Sequence, residues 1–224
     1  MRVARVLAVG VLAAASAGAE AAERRPEAGG AVTVAMGLGS TWGVGGTAPA
    51  WGEALGERFE LAGEVGRYRV ALGFVVDHAR RDLVDASVLI PDAAVPAGAL
   101  NGTRDELALL FTVRVPLEVG ADLPERKPVL RVLPTFAVSA GLFASDAQLA
   151  LPSFSAAVPL RSRSLLPVLG ARAGCELRAF DWMSLLPHAE LLMLVAGNRG
   201  ELSGREQFDV EGRILLGADV LVRF

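Results

Sequence analysis

The chain has 224 residues, a formal net charge of −3 and 52% apolar residues, and its mean hydropathy of +0.42 is high for a water-soluble protein. The charges are mixed in sign with no basic block, which argues against a nucleic-acid partner, and Cys175 stands alone, so no internal disulfide forms. Beyond the first two dozen residues no apolar run approaches the roughly 18–20 residues of a membrane-spanning helix, so the hydrophobicity is spread along the chain.

The N-terminus has the parts of a secretory signal peptide. Arg2 and Arg5 form a positive region, Val6–Ala15 an apolar one, and small residues follow. The expected signal peptide is 1–21, with cleavage near Ala19 or Ala21, followed by a short polar lead-in, 22–30. No cysteine lies nearby to carry a lipid anchor.

From Ala31 onward, segments alternate with a period of two, which places apolar side chains on one face of a strand and polar ones on the other. The first, Ala31–Thr41, sets Val32, Val34, Met36 and Leu38 against Thr33, Ala35, Gly37, Gly39 and Thr41. Arg58–Val65 and Tyr68–Asp77 follow, joined by a tight turn at Gly66-Arg67. Glu106–Val119 sets Leu107, Leu109, Phe111, Val113 and Val115 against Thr112, Arg114 and Glu118. Val129–Phe143, Pro167–Phe180 and Leu185–Val195 repeat the pattern. The last segment, within Arg205–Phe224, is the clearest. Phe208, Val210, Gly212, Ile214, Leu216, Ala218, Val220, Val222 and Phe224 form one face, while Asp209, Glu211, Arg213, Asp219 and Arg223 lie on the other. These eight segments predict an all-β fold, an antiparallel up-and-down transmembrane β-barrel of about eight strands over 31–224.

The connections Trp42–Glu57, His78–Asp105 and Ala144–Leu166 are long; Gly66-Arg67 and Asp181–Ser184 are short; Gly120–Pro128 and Ala196–Gly204 are intermediate. A membrane barrel has long loops on one side and short turns on the other. Trp42 and Trp51 fall at or beyond one rim, and Tyr68, Trp182 and Phe224 at the other, where aromatic girdles sit.

On these features the chain resembles the small outer-membrane β-barrel proteins of Gram-negative bacteria. The resemblance implies location in the cell outer membrane, with outer-membrane lipids around the barrel and 22–30 on the periplasmic side. It also implies that Val220, Val222 and Phe224 form the signal read by the barrel-assembly machinery. It specifies no activity and leaves the oligomeric state open.

A soluble, lipocalin-like ligand-binding barrel would show the same alternation with its faces reversed. Gly37, Gly39, Gly73, Gly141, Gly174 and Gly217 on the polar face favour the membrane reading, because they suit a crowded interior better than a solvated strand surface. An eight-stranded barrel is just wide enough to be filled by side chains. The expected interior polar network is Glu64, Arg114, Arg131, Arg172, Glu176, His188, Glu190, Arg213 and Asp219; Glu60, Arg69, Glu118, Arg178 and Glu211 share its parity. Buried charges must be paired, which makes a filled barrel the expectation and a narrow pore the alternative.

A lipid-modifying enzyme is a further alternative, with no catalytic residue assigned. His78 and His188 are the only histidines: His188 has Glu190 on its face but no serine nearby, Ser184 falling at the bottom turn, and His78, beside Asp77 and Arg80-Arg81, reads as a solvated loop start. No Gly-x-Ser-x-Gly, phosphate-loop or zinc-ligand spacing occurs, and no cofactor or metal is expected. Asn101-Gly102-Thr103 matches a glycosylation sequon and reads as a turn. The expected role is structural, or binding and adhesion through loops such as Ser87–Leu100 and Ala147–Leu160; packed over the barrel mouth, the same loops would form a lid.

Overall fold

The computed structural model describes residues 31–46, 48–65, 69–85, 89, 100–117, 131–150, 160–178, 180, 182–195 and 210–224. The expected signal peptide, lead-in and Gly66-Arg67 turn, with Tyr68, Glu118, Gly120–Pro128 and most of the long loops, lie outside them.

Eight strands form a closed barrel: β1 (Val32–Val44), β2 (Ala54–Val65), β3 (Val70–Asp82), β4 (Asn101–Pro116), β5 (Arg131–Ala150), β6 (Leu160–Arg178), β7 (Met183–Val195) and β8 (Val210–Arg223). Each pairs antiparallel with its sequence neighbours, and β1 closes on β8. The seam places Val34 opposite Val222 and Gly39 opposite Gly217. It ends with Phe224 donating to the Val32 carbonyl at 2.9 Å and Val32 donating back at 3.3 Å. Closure leaves no strand edge in the wall, so backbone donors and acceptors are met within the protein.

The two faces are inverted relative to a water-soluble protein. Leu61, Phe74, Val138 and Leu169 are 46–67% exposed on the outer wall, while eight arginines and eight carboxylates are buried among the described residues. A lipocalin-like barrel would hold its apolar face inside, and that alternative is overturned by this arrangement. Phe74 and Phe111 meet edge-on at 5.6 Å, and Phe180 stacks on Trp182 at 5.7 Å near the lower turn.

Several strands extend further than the alternation predicts. β3 and β4 take in Ala79–Asp82 and Asn101–Asp105, and β5 and β6 take in Ala144–Ala150 and Leu160–Leu166. Asn101–Thr103, expected as a turn, opens β4. Above the apolar belt the ladder continues with polar residues on its outer face, so the hydrophobic signal stops before the hydrogen bonding does.

Inward glycines permit close approach of neighbouring strands. A Cβ on Gly141 would stand 2.0 Å from the Leu109 carbonyl oxygen and 2.9 Å from the Leu110 Cα, both backbone. Gly141→Ala is therefore expected to destabilise the β4–β5 pairing by about 1–3 kcal/mol through overpacking. Gly63 has nothing within 4 Å of such a Cβ, so Gly63→Ala should leave stability within about 1 kcal/mol of the parent. Thermal unfolding of the two variants checks the contrast, and equal losses would contradict it.

Candidate functional site

The barrel lumen is the largest assembly of ionisable side chains among the described residues, and it is built in three levels. At the bottom, Arg223 of β8 donates through Nε to Glu64 Oε1 at 3.0 Å and through Nη2 to Glu176 Oε1 at 2.5 Å. Its Nη1 reaches the Ser184 hydroxyl at 3.1 Å. Arg178 adds two bonds to the same Glu176 oxygen, at 3.0 and 2.8 Å.

At mid-height, Arg172 donates to Glu60 Oε2 at 2.8 Å and to Asp219 Oδ2 at 3.3 Å. Arg114 Nη1 stands 3.4 Å from the second Glu60 oxygen. Arg58 bonds Glu190, and its Nε lies 3.7 Å from Asp219. His188 turns Nδ1 to the Leu186 carbonyl at 3.1 Å, with Asp219 at 3.7 Å.

Towards the top, Arg213 donates to Asp77 at 3.0 Å and Arg104 to Glu211 at 3.2 Å. Arg81 and Arg104 flank Glu106 at 3.0 and 3.3 Å. Beside these pairs Val75, Ala108, Leu110, Phe143, Val168, Leu192 and Leu194 form an apolar cluster. In an eight-stranded ring β2 faces β6 and β4 faces β8. The Glu60–Arg172 and Arg104–Glu211 pairs therefore run across the barrel axis, as cross-braces and as a plug.

The mouth is narrowed from above. A single 3-10 turn, Ala48–Ala50, and Trp51 fold inward, and Trp51 bridges to Leu83. Arg81 anchors this segment, donating to the Gly52 carbonyl at 2.9 Å, the Thr41 carbonyl at 3.2 Å and the Thr41 hydroxyl at 2.6 Å. The Arg104 guanidinium stands 5.9 Å from the ring centres of both Trp51 and Phe143. This cover comes from the β1–β2 connection. The loops expected as a lid lie mostly outside the described residues.

Of the expected network, Glu64, Arg114, Arg172, Glu176, His188, Glu190, Arg213 and Asp219 are buried in the lumen. Arg131 is exposed at the first residue of β5, where the wall has ended and the inward direction opens to solvent. Arg69 is exposed in the β2–β3 turn with φ 50° and also leaves the network. The expectation omitted Arg58, Asp77, Arg81, Arg104, Glu106 and Arg223, all buried and ion-paired. Carrying the strand parity past the apolar belt would have found Arg81 and Arg104, and Glu106 already shares the parity of Thr112 and Arg114 within its predicted segment. At the C-terminal end Val220 and Phe224 are exposed on the outer wall, while Val222 is 7% exposed.

Among the described residues neither histidine is hydrogen-bonded to a serine or threonine hydroxyl, and Ser184 is engaged by Arg223. No group of three or more His, Cys, Asp or Glu among them stands as a metal site.

On the outer wall a polar rim follows the apolar belt across β3–β6. Arg161 donates to Asp146 through Nε at 2.8 Å and through Nη2, and Arg163 reaches it at 3.3 Å. Arg80 stands 3.9 Å from Asp105.

No protein-family model matches the chain, and no curated protein sequence matches it. Among solved structures it is similar to Neisserial surface protein A, with a TM-score of 0.52 and 14% identity over 88% of this chain and 99% of that one. It is also similar to Ail, the attachment invasion locus protein of Yersinia pestis, solved in complex with the heparin analogue sucrose octasulfate. That match has a TM-score of 0.48 and 10% identity over 86% of this chain and 99% of that one. The chain thus has the fold of the small eight-stranded outer-membrane β-barrels.

Proposed function

We propose that this protein is an outer-membrane barrel of a Gram-negative cell, exported by its signal peptide, whose strands form an inert scaffold. Its biological role is structural, or binding and adhesion through the loops on the side of β1–β2, β3–β4, β5–β6 and β7–β8. The observation that carries the reading is the pairing of an exposed apolar belt with a lumen of mutually neutralising charges. Hydrocarbon accommodates such a belt, and water does not favour so extensive an exposed apolar surface. The outer-membrane lipids would surround the belt, and Val220, Val222 and Phe224 would be presented to the barrel-assembly machinery before closure.

The pore alternative is weakened by Glu60–Arg172 and Arg104–Glu211 lying across the axis. In planar bilayers the inserted protein is expected to be electrically silent, and steady single-channel conductance would contradict the filled-lumen account. Replacing Ser87–Leu100 with a glycine-serine segment of equal length separates the two roles. If the loops bind, cells carrying the variant lose attachment to a protein-coated surface while the barrel still folds. If the role is structural, attachment is unchanged and only removal of the whole protein makes the envelope leaky. Unchanged attachment together with an intact envelope after removal of the whole protein would overturn the proposal.

A further inference from the structure

We propose that the upper edge of β6 receives an extended acidic segment of another protein, which adds to the wall as a further strand. The inference rests on the reading that this protein binds on its loop side, and it moves the contact from the loops to a strand edge.

Strand register leaves that edge bare. β3 to β6 rise above the apolar belt as one sheet. Its β3 edge is closed by the β1–β2 connection, where Gly52 donates to the Asp82 carbonyl and Val84 to the Ala50 carbonyl, both at 2.9 Å. Its β6 edge differs. Among the described residues β7 pairs with β6 from Val168 downward, and no backbone donor or acceptor meets 161–165 on that side. Pro167, just below, has no N–H with which to continue the β6–β7 ladder. Parity identifies the free groups. Leu117 donates to the Pro134 carbonyl at 2.7 Å, so even-numbered residues of β5 turn their backbone groups to β4 and odd-numbered ones to β6. Ser162 and Ser164 are opposite Ala147 and Ser145 and bond β5. Arg161, Arg163 and Leu165 therefore point N–H and C=O away from β5, as a template for an incoming strand.

Charge selects the occupant. Arg161 and Arg163 set their side chains, 49% and 68% exposed, on the outer face of this edge and share the carboxylate of Asp146. The edge keeps a net positive charge. A strand with carboxylates at alternate positions sets them all on one face, beside the two guanidiniums. A second copy of this chain fits poorly. Two barrels upright in one membrane meet with their β6 strands parallel, and a two-fold axis sets each arginine against its own counterpart.

The test reads amide hydrogen exchange of the folded barrel in detergent micelles, residue by residue. In the barrel alone Arg161 and Arg163 should exchange fast, while Ser162 and Ser164, bonded to β5, exchange slowly. A synthetic peptide alternating glutamate and valine should bind and slow the two arginine amides. The same peptide with lysine for glutamate should bind about tenfold more weakly. Leu165→Pro removes an edge N–H without touching the β5 ladder, and Arg163→Glu reverses the charge. Each should weaken binding of the glutamate peptide about tenfold, and mobility on an unboiled gel checks that each variant folds. Slow exchange of Arg161 and Arg163 in the free barrel would mean that the chain already covers this edge and would overturn the proposal. Equal affinity for the two peptides, or variants that bind like the parent, would overturn it as well. The loop-side binding reading is decided separately, by cell attachment after replacement of Ser87–Leu100.

Discussion

Glu60→Ala is expected to destabilise the barrel by about 3–5 kcal/mol, because it strips the shared carboxylate from two buried arginines. Glu60 is 1% exposed and receives Arg172 at 2.8 Å on one oxygen while Arg114 stands 3.4 Å from the other. Arg172 keeps Asp219, at 3.3 Å, but Arg114 has no second ion pair among the described residues. The lumen then holds an uncompensated cation across from its neighbours. Replacing Glu60 and Arg114 together with methionine should recover much of the loss, since an apolar pair of similar volume removes the stranded charge as well as the attraction. The temperature at which the compact gel band converts to the unfolded one measures both variants. A loss below about 1 kcal/mol for Glu60→Ala would mean that the mid-level pairs do not brace the barrel.

Val138→Arg has the second large expected effect, and its size depends on what surrounds the wall. Val138 is 62% exposed on β5, in register with Val113 and Ala171. In lipid, an arginine near the middle of the belt costs about 2–4 kcal/mol, falling to about 0–1 kcal/mol near the interface. Gln148→Arg, exposed higher on the same strand, is the interfacial control. In water both substitutions would fall within about 0.5 kcal/mol of the parent. Folding yield into lipid vesicles separates the cases: a deficit for Val138→Arg alone fits the membrane wall, and equal yields contradict it.

The strand wall was legible in the sequence because period-two alternation is a local property. Each segment from Ala31 to Phe224 declared its outer face through residues such as Leu72, Phe74 and Val76, and its inner face through Glu60, Arg172 or Asp219. Strand ends were less legible. Above the belt, Arg80, Asp105, Asp146 and Arg163 face outward, so the apolar marker vanishes while β3–β6 continue. At the lower end the same parity placed Arg131 inside, although the wall no longer surrounds that position. The partners within the lumen were not legible at all. Arg172 meets Glu60 from the opposite side of the barrel, and Arg104 meets Glu211. Which heights coincide across the axis depends on the stagger with which the sheet closes, and no single segment carries that information. The inward turn of Trp51 likewise depends on Arg81, thirty residues further on, donating to Gly52 and Thr41.

The most direct test of the central claim is to separate the cell envelope and run the outer-membrane fraction on a gel with and without boiling. The account predicts that the protein sediments with the outer membrane and migrates differently before heating, as a closed barrel that resists detergent. A protein found in the soluble fraction, with one mobility under both conditions, would contradict an apolar wall turned towards lipid.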